Sequence, residues 1–309
     1  MSHLPTAVVF GTTGQQGGAV ARSLLASQRW NVRAVTRHPE GSAAHRIRLA
    51  GAEVVGGDLD DPEVGAKVLG GADALFVVTN PWEPQRDDEY VQGKRVIDSA
   101  VAAGIDNIVY SGIPGVNEIS LGELSVTHCD NKYALECQLR GEGAPVAFVQ
   151  PGWYFQNWYR LPLLQLSRDE DGVATFTNSV GDGYIPAVDI NDLGPVVAAL
   201  MDDPVRYRGV SVPVTSELRT SDDFAATFTA KLGEPVRYQP IARDALLASG
   251  PESRQLADMF EFFRRYARDV SGDEQARAIH PAMSSLAAWL DSEIDTFRTL
   301  LATPVDGSS

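Results

Sequence analysis

Cysteine is scarce in this chain: 309 residues hold two, Cys129 and Cys137. They stand eight apart in one predicted helix, too far for a disulfide there, and their number and spacing make neither a disulfide framework nor a zinc site. A reducing compartment is the simple reading. Positive charge is short as well, with 26 Lys and Arg against 41 Asp and Glu and a formal net charge of -15. That balance argues against a general nucleic-acid or anionic-membrane surface, so any anionic ligand has to be gripped locally. No apolar run approaches the roughly 18 residues of a membrane-spanning helix. The opening MSHLPTAVVF lacks the basic stretch and apolar core of a signal peptide. A cytoplasmic protein without membrane association is expected.

What is there has a globular composition. Apolar residues make up 44% and charged residues 22%, over a length sufficient for one large domain or two smaller ones. Up to Pro151, short β-branched runs alternate with longer amphipathic stretches, the rhythm of βα units feeding a parallel sheet buried on both faces. Strands are predicted at Ala7 to Phe10, Val32 to Thr36, Glu53 to Gly56, Ala74 to Val78, Asn107 to Tyr110 and Val146 to Gln150. Helices are predicted at Gln16 to Ala26, Ala43 to Ala50, Pro62 to Leu69, Arg86 to Ala103 and His128 to Arg140. Asp61-Pro62 sets a capping carboxylate before a first-turn proline, and Gly104 stands where a helix wants a left-handed C-terminal residue. The rhythm predicts an α/β fold with a doubly wound parallel sheet.

Past Pro151 the alternation stops. An aromatic cluster (Trp153, Tyr154, Phe155, Trp158, Tyr159) precedes a leucine-rich stretch and the short segment Ala174 to Ile185. Ile190 to Met201 reads as a helix and Gly209 to Val214 as a strand, so the chain returns to the sheet. In the helical remainder, Leu256, Met259, Phe260 and Phe263 fall on one helix face, a stripe for core packing.

The segment Gly11-Thr12-Thr13-Gly14-Gln15-Gln16-Gly17 leaves the first strand and opens the first helix with glycines spaced G-x-x-G-x-x-G. Gly11 suits the tight turn, Gly14 clears space for a pyrophosphate, and Gly17 lets helix and strand approach. Backbone N–H groups at the helix start favour phosphates. This pattern is a dinucleotide-binding turn. The second strand ends at Arg37 instead of a carboxylate, so a 2′-phosphate is welcome there and NADP(H) is favoured over NAD(H). Asp58 either accepts from the adenine or caps the next turn. The expected division is a dinucleotide-binding Rossmann domain over 1–152, rejoined at 188–214. A smaller, partly helical C-terminal domain takes 153–187 and 215–302, and a flexible tail takes 303–309.

These stretches, with Val35-Thr36-Arg37, Phe76-Val77-Val78-Thr79-Asn80, Val109-Tyr110-Ser111-Gly112, Pro151-Gly152-Trp153-Tyr154-Phe155-Gln156-Asn157 and Asp192-Leu193-Gly194, resemble the NmrA-like family, an atypical branch of the short-chain dehydrogenase/reductase superfamily. The resemblance covers nearly the whole chain and leans to the redox-sensor branch. It implies that Thr12, Gly14, Gln15 and Gln16 line the phosphates, that Arg37 takes the 2′-phosphate, and that Asp58 meets the adenine. It also implies that Thr79 and Asn80 face the middle of the cofactor and that Lys132 reaches the nicotinamide ribose.

Reductases of the wider superfamily use a Ser with a Tyr-x-x-x-Lys pair, in which the lysine lowers the tyrosine pKa and the phenol delivers a proton. Here that turn reads His128-Cys129-Asp130-Asn131-Lys132, with the lysine but without the tyrosine. His128 either serves as acid or base, or packs at the helix start. Ser111 either occupies the position from which the superfamily serine orients a substrate carbonyl or, as a loop serine, simply bonds to the backbone. Two functions stay open. One is a cofactor-reading sensor or regulator with a protein partner. The other is an NADPH-dependent oxidoreductase acting on a small carbonyl, quinone or enone, its pocket walled by the aromatic cluster. The missing tyrosine tips the reading toward the sensor, and no metal is expected in either.

Overall fold

The computed structural model describes residues 4–82, 88–161, 164–248 and 251–302. The chain groups into two compact units. The first takes the chain up to Gly115, then Thr127–Pro151 and Ile190–Val212. The second takes Val116–Val126, Gly152–Asp189 and the chain from Pro213 onward. Chain order alone would assign Val116–Val126 to the first unit.

A seven-stranded parallel sheet organises the first unit. Its strands are β1 (Thr6–Val9), β2 (Asn31–Thr36), β3 (Glu53–Gly56), β4 (Ala74–Val77), β5 (Ile108–Ser111), β6 (Val146–Pro151) and β7 (Ser211–Val214, whose last two residues are counted with the second unit), lying in the order β7-β6-β5-β4-β1-β2-β3. Each of the first six begins and ends within one residue of its predicted place. Every residue of β1, β4, β5 and β6 is buried, as a sheet covered on both faces requires. Strand order reverses between β1 and β4, which opens a crevice at their carboxyl ends, and the pairing of Val9 with both Ala34 and Phe76 sets those ends level.

The helices of five or more residues in this unit are α1 (Gln15–Ser27), α2 (Ser42–Leu49), α3 (Val64–Val68), α4 (Glu89–Ala102), α5 (Thr127–Gly141) and α6 (Leu193–Asp202). The third is shorter than the predicted Pro62 to Leu69. Asp61 accepts the Glu63 N–H at 2.9 Å and its carbonyl takes the Val64 N–H, so Asp61-Pro62 makes a turn ahead of the helix instead of its first residues. Arg86 and Asp87, expected to open the fourth helix, and the tail 303–309 lie outside the described residues. Helix α4 starts under the Asp88 side chain, which accepts from Tyr90 N at 2.8 Å. Gly104 takes the expected left-handed conformation, φ +83°, just past α4. Ile190–Asp192 forms a 3-10 turn before α6, and α6 packs on α1 through Gly194, where a Cβ would lie 2.5 Å from the Ala19 carbonyl oxygen.

The second unit holds two three-stranded sheets. One orders Glu217–Thr220, Tyr184–Val188 and Trp153–Tyr154; the other orders Val236–Pro240, Ala174–Asn178 and Ser167–Arg168. The predicted segment Ala174 to Ile185 is thus two strands, parted by a turn with Gly181 at φ +62°. Trp153, Phe155 and Trp158 are buried in this unit's core with Phe176, Phe224, Phe228 and Trp289. Trp158 packs against Phe155, Phe176, Phe224 and Phe228 at centroid distances of 5.0 to 6.1 Å. The aromatic cluster expected as a pocket wall is therefore largely core, because its large apolar rings contribute more by leaving water than by lining a cleft. The stripe Leu256, Met259, Phe260 and Phe263 lies on the helix Pro251–Val270 and packs against the same core. Among the described residues no helix is long and apolar enough to cross a membrane. Nor do three or more His, Cys, Asp or Glu side chains gather to hold a metal ion.

Candidate functional site

The first candidate elements surround the carboxyl end of β1. Gly11 takes φ +68°, where an L side chain would strain the backbone, and its carbonyl receives Gly14 N–H at 2.9 Å. The turn delivers the chain into α1 with Gly14 as N-cap and no side chain capping it, so the helix start remains suited to an anion. A Cβ on Gly17 would fall 2.3 Å from the Phe10 carbonyl oxygen, which is how α1 lies so close to β1. Thr12 is buried and donates its hydroxyl hydrogen to the Val35 carbonyl at 3.1 Å, so the side chain braces the turn against β2. Gln15 Oε1 is buried without a hydrogen-bond partner. Gln16 Oε1 accepts the Ser111 hydroxyl at 2.6 Å.

At the end of β2, Arg37 is exposed, and Thr36 fixes the strand end by accepting His38 N–H on its hydroxyl and Gly57 N–H on its carbonyl. Past β3, Asp58 uses one carboxylate oxygen to accept Asp60 N–H at 3.1 Å, the turn-capping role weighed for it. Past β4, Asn80 is exposed and accepts Trp82 N–H, whereas Thr79 turns inward.

Thr79 belongs to a buried cluster with Lys132 and Glu89. Lys132 Nζ lies 2.5 Å from Glu89 Oε1, donates to the Thr79 hydroxyl, and contacts the Thr79 carbonyl at 3.3 Å. Thr79 Oγ1 in turn donates to Glu89 Oε1 at 2.7 Å. Lys132 is 7% and Glu89 4% exposed. Burial pushes the Lys132 pKa down, and Glu89 opposes that shift through its charge and its hydrogen bond. Glu89 escaped the sequence reading. An acidic residue in a helix's first turn is commonplace, and nothing local ties residue 89 to a lysine 43 positions later.

His128 stands one turn before Lys132, half-buried, with its ring 5.1 Å from that of Trp82, which is 76% exposed. Its pKa is lowered, first by burial and further by the Lys132 charge, while Glu89 and Asp130 pull the other way. The imidazole is therefore neutral near pH 7. Ser111 is buried with its hydroxyl hydrogen committed to Gln16, so it tethers α1 to β5. Sequence reasoning also passed over Glu136, whose buried carboxylate accepts from Arg140, Gln150 and Ser211. Gly112 makes room for it: a Cβ there would meet Glu136 Oε2 at 2.6 Å.

The chain matches the family model described as the NmrA-like family over residues 5–297. It is 32% identical to the NmrA-like family domain-containing oxidoreductase FrzB of Cladobotryum sp, over 94% of this chain and 95% of that protein. Its fold matches NmrA, a negative transcriptional regulator, solved with NADP (TM-score 0.80, 22% identity, 97% and 99% of the two chains) and with NAD (0.79, 22%, 96% and 98%). It matches the NADPH-dependent quinone oxidoreductase QOR2 of Escherichia coli, solved with NADPH, at TM-score 0.71 and 23% identity over 94% and 99% of the two chains. The glycine turn, the parallel sheet reversing at β1 and β4, and a family match running nearly end to end agree: this chain belongs to the NmrA-like family.

Proposed function

We propose that this chain binds a nicotinamide dinucleotide at the carboxyl ends of β1 and β4, prefers NADP(H), and acts as a cofactor-reading regulator lacking the usual catalytic tyrosine. The open start of α1, the Gly11 turn and the unpartnered Gln15 Oε1 fit a pyrophosphate and its flanking hydroxyls. The NAD and NADP complexes of NmrA support the ligand class. Arg37 favours a 2′-phosphate, Asp58, Thr79 and Asn80 follow the cofactor's length, and Lys132 serves the nicotinamide ribose. In this reading the first unit carries the cofactor and the second serves a partner or substrate. Free thiols at Cys129 and Cys137 support a cytoplasmic setting.

A bound dinucleotide would supply hydride; a reductase would have to add a proton. The observation that carries the regulatory reading is the occupant of the proton-donor position. His128 has a lowered pKa and is neutral near pH 7, and the charge of Lys132 is offset by Glu89. Losing a positioned general acid costs about a hundred- to ten-thousandfold in rate. Purified protein should bind NADPH yet consume almost none of it with a broad panel of aldehydes, ketones and quinones. The oxidoreductase name of relatives such as FrzB supports a second reading, NADPH-dependent reduction of a small carbonyl, quinone or enone. Robust turnover that collapses in His128→Ala would decide for that reading and make His128 the proton donor.

A further inference from the structure

The Lys132 ammonium carries three hydrogens, and three acceptors surround it: Glu89 Oε1 at 2.5 Å, the Thr79 hydroxyl, and the Thr79 carbonyl at 3.3 Å. They are unequal. The carboxylate bond is short and charge-assisted, and the carbonyl bond is long. A ligand hydroxyl arriving at Lys132 would replace the carbonyl while the ammonium kept its anchor on Glu89. That anchor is itself held, because Glu89 lies in the first turn of α4, is buried, and also accepts from Thr79 Oγ1.

We propose that Glu89 is the positioning residue of the nicotinamide end, holding Lys132 as a charged and oriented ammonium for a ribose hydroxyl of the dinucleotide. This rests on the cofactor reading above. Other ionisable groups gather round the same cluster. Cys129, His128, Asp130 and Glu136 stand on α5, Asp88 at the N-cap of α4 and Tyr110 on β5. Burial keeps the Cys129 thiol and the Tyr110 phenol protonated, and His128 is neutral near pH 7. Asp88 is engaged at the α4 cap and with Asn131, and Glu136 with Arg140, Gln150 and Ser211. Asp130 is only half-buried. Glu89 is thus the buried counter-charge in contact with Lys132.

The chain has four lysines, at 67, 94, 132 and 231, so the side-chain ammonium signals of ¹⁵N-lysine protein can be assigned by substitution. Burial lowers the Lys132 pKa and Glu89 opposes that shift, so in cofactor-free wild type the Lys132 side chain should still be charged at pH 7. In Glu89→Gln it should lose its proton at lower pH, and Glu89→Asp should restore part of the difference. By calorimetry, NADPH affinity of Glu89→Gln should fall about tenfold more than that of wild type between pH 7 and pH 9, as expected for loss of a charge-assisted contact. Lys132→Ala should bind weakly at both pH values. Unchanged Lys132 signals together with wild-type affinity at both pH values in Glu89→Gln would overturn the proposal. If Glu89→Gln does not fold, a wild-type Lys132 already deprotonated at pH 7 overturns it, and one that is charged there supports it. Wild type that fails to bind NADPH would instead overturn the cofactor reading, with the NMR titration still reporting on Glu89.

Discussion

The Phe10 carbonyl oxygen occupies the space where any side chain at residue 17 would begin, 2.3 Å from a Cβ on Gly17. Gly14 is different: its φ of -94° suits any residue, and a Cβ there would meet only the Gly11 carbonyl, at 3.3 Å. Gly17→Ala should therefore push α1 off β1 and destabilise the protein by about 1 to 3 kcal/mol. Gly14→Val should melt near wild type while losing dinucleotide binding, because its branched side chain fills the phosphate approach. Thermal melts paired with NADPH calorimetry separate the two, and normal NADPH binding by Gly14→Val would remove the turn from the site.

Arg37 is exposed at the end of β2. A guanidinium there gains a charge-assisted bond only from a cofactor carrying a 2′-phosphate, worth about ten- to a hundredfold in affinity. Arg37→Ala should weaken NADPH by that factor and leave NADH nearly unchanged. Equal affinity of wild type for the two cofactors would refute the preference.

Trp158 tests whether the aromatic cluster is core or pocket. Its ring is enclosed by four other aromatic rings, so Trp158→Ala should cost about 3 to 5 kcal/mol in stability. Below its melting temperature the variant should bind NADPH like wild type. A stable variant with altered ligand selectivity would contradict the core assignment.

The sheet and its glycine turn were legible because their signals are local: β-branched runs of strand length, and glycines at fixed offsets from a strand end. That Lys132 and His128 stand one turn apart on one helix was legible for the same reason. What the sequence concealed is pairing across chain distance. Ser111 meets Gln16 across 95 residues, Lys132 meets Glu89 across 43, and Glu136 gathers partners from β6 and β7. No periodicity encodes such meetings, since they exist only after β5, α4 and α5 have packed. The aromatic cluster misled for a related reason: tryptophans suit both a core and a cleft, and only their burial tells which.

Glu261 is largely buried and bonded to Arg264 and Arg265, which hold its pKa at about 2, below the ordinary 4.5. A carboxyl with a depressed folded-state pKa stabilises fully above the unfolded value and loses that contribution as pH falls through the folded one. Melting temperature in wild type should fall between about pH 4.5 and pH 2. Glu261→Gln should start lower at pH 6 and show a shallower acid limb. Parallel acid limbs in the two proteins would show that this cluster contributes nothing to acid sensitivity.

Strand β7 and helix α6 reach the first unit only after the chain has passed through residues of the second. Translation of the first six strands therefore leaves β6 with an unpaired edge and α1 without the helix that closes over Ala19. A nascent or truncated chain ending at residue 152 would present that edge to other chains, an invitation to aggregation. The first unit is thus not a portable module, and transplanting it into another protein requires carrying the detour, or a designed bridge from residue 151 to residue 190, along with it.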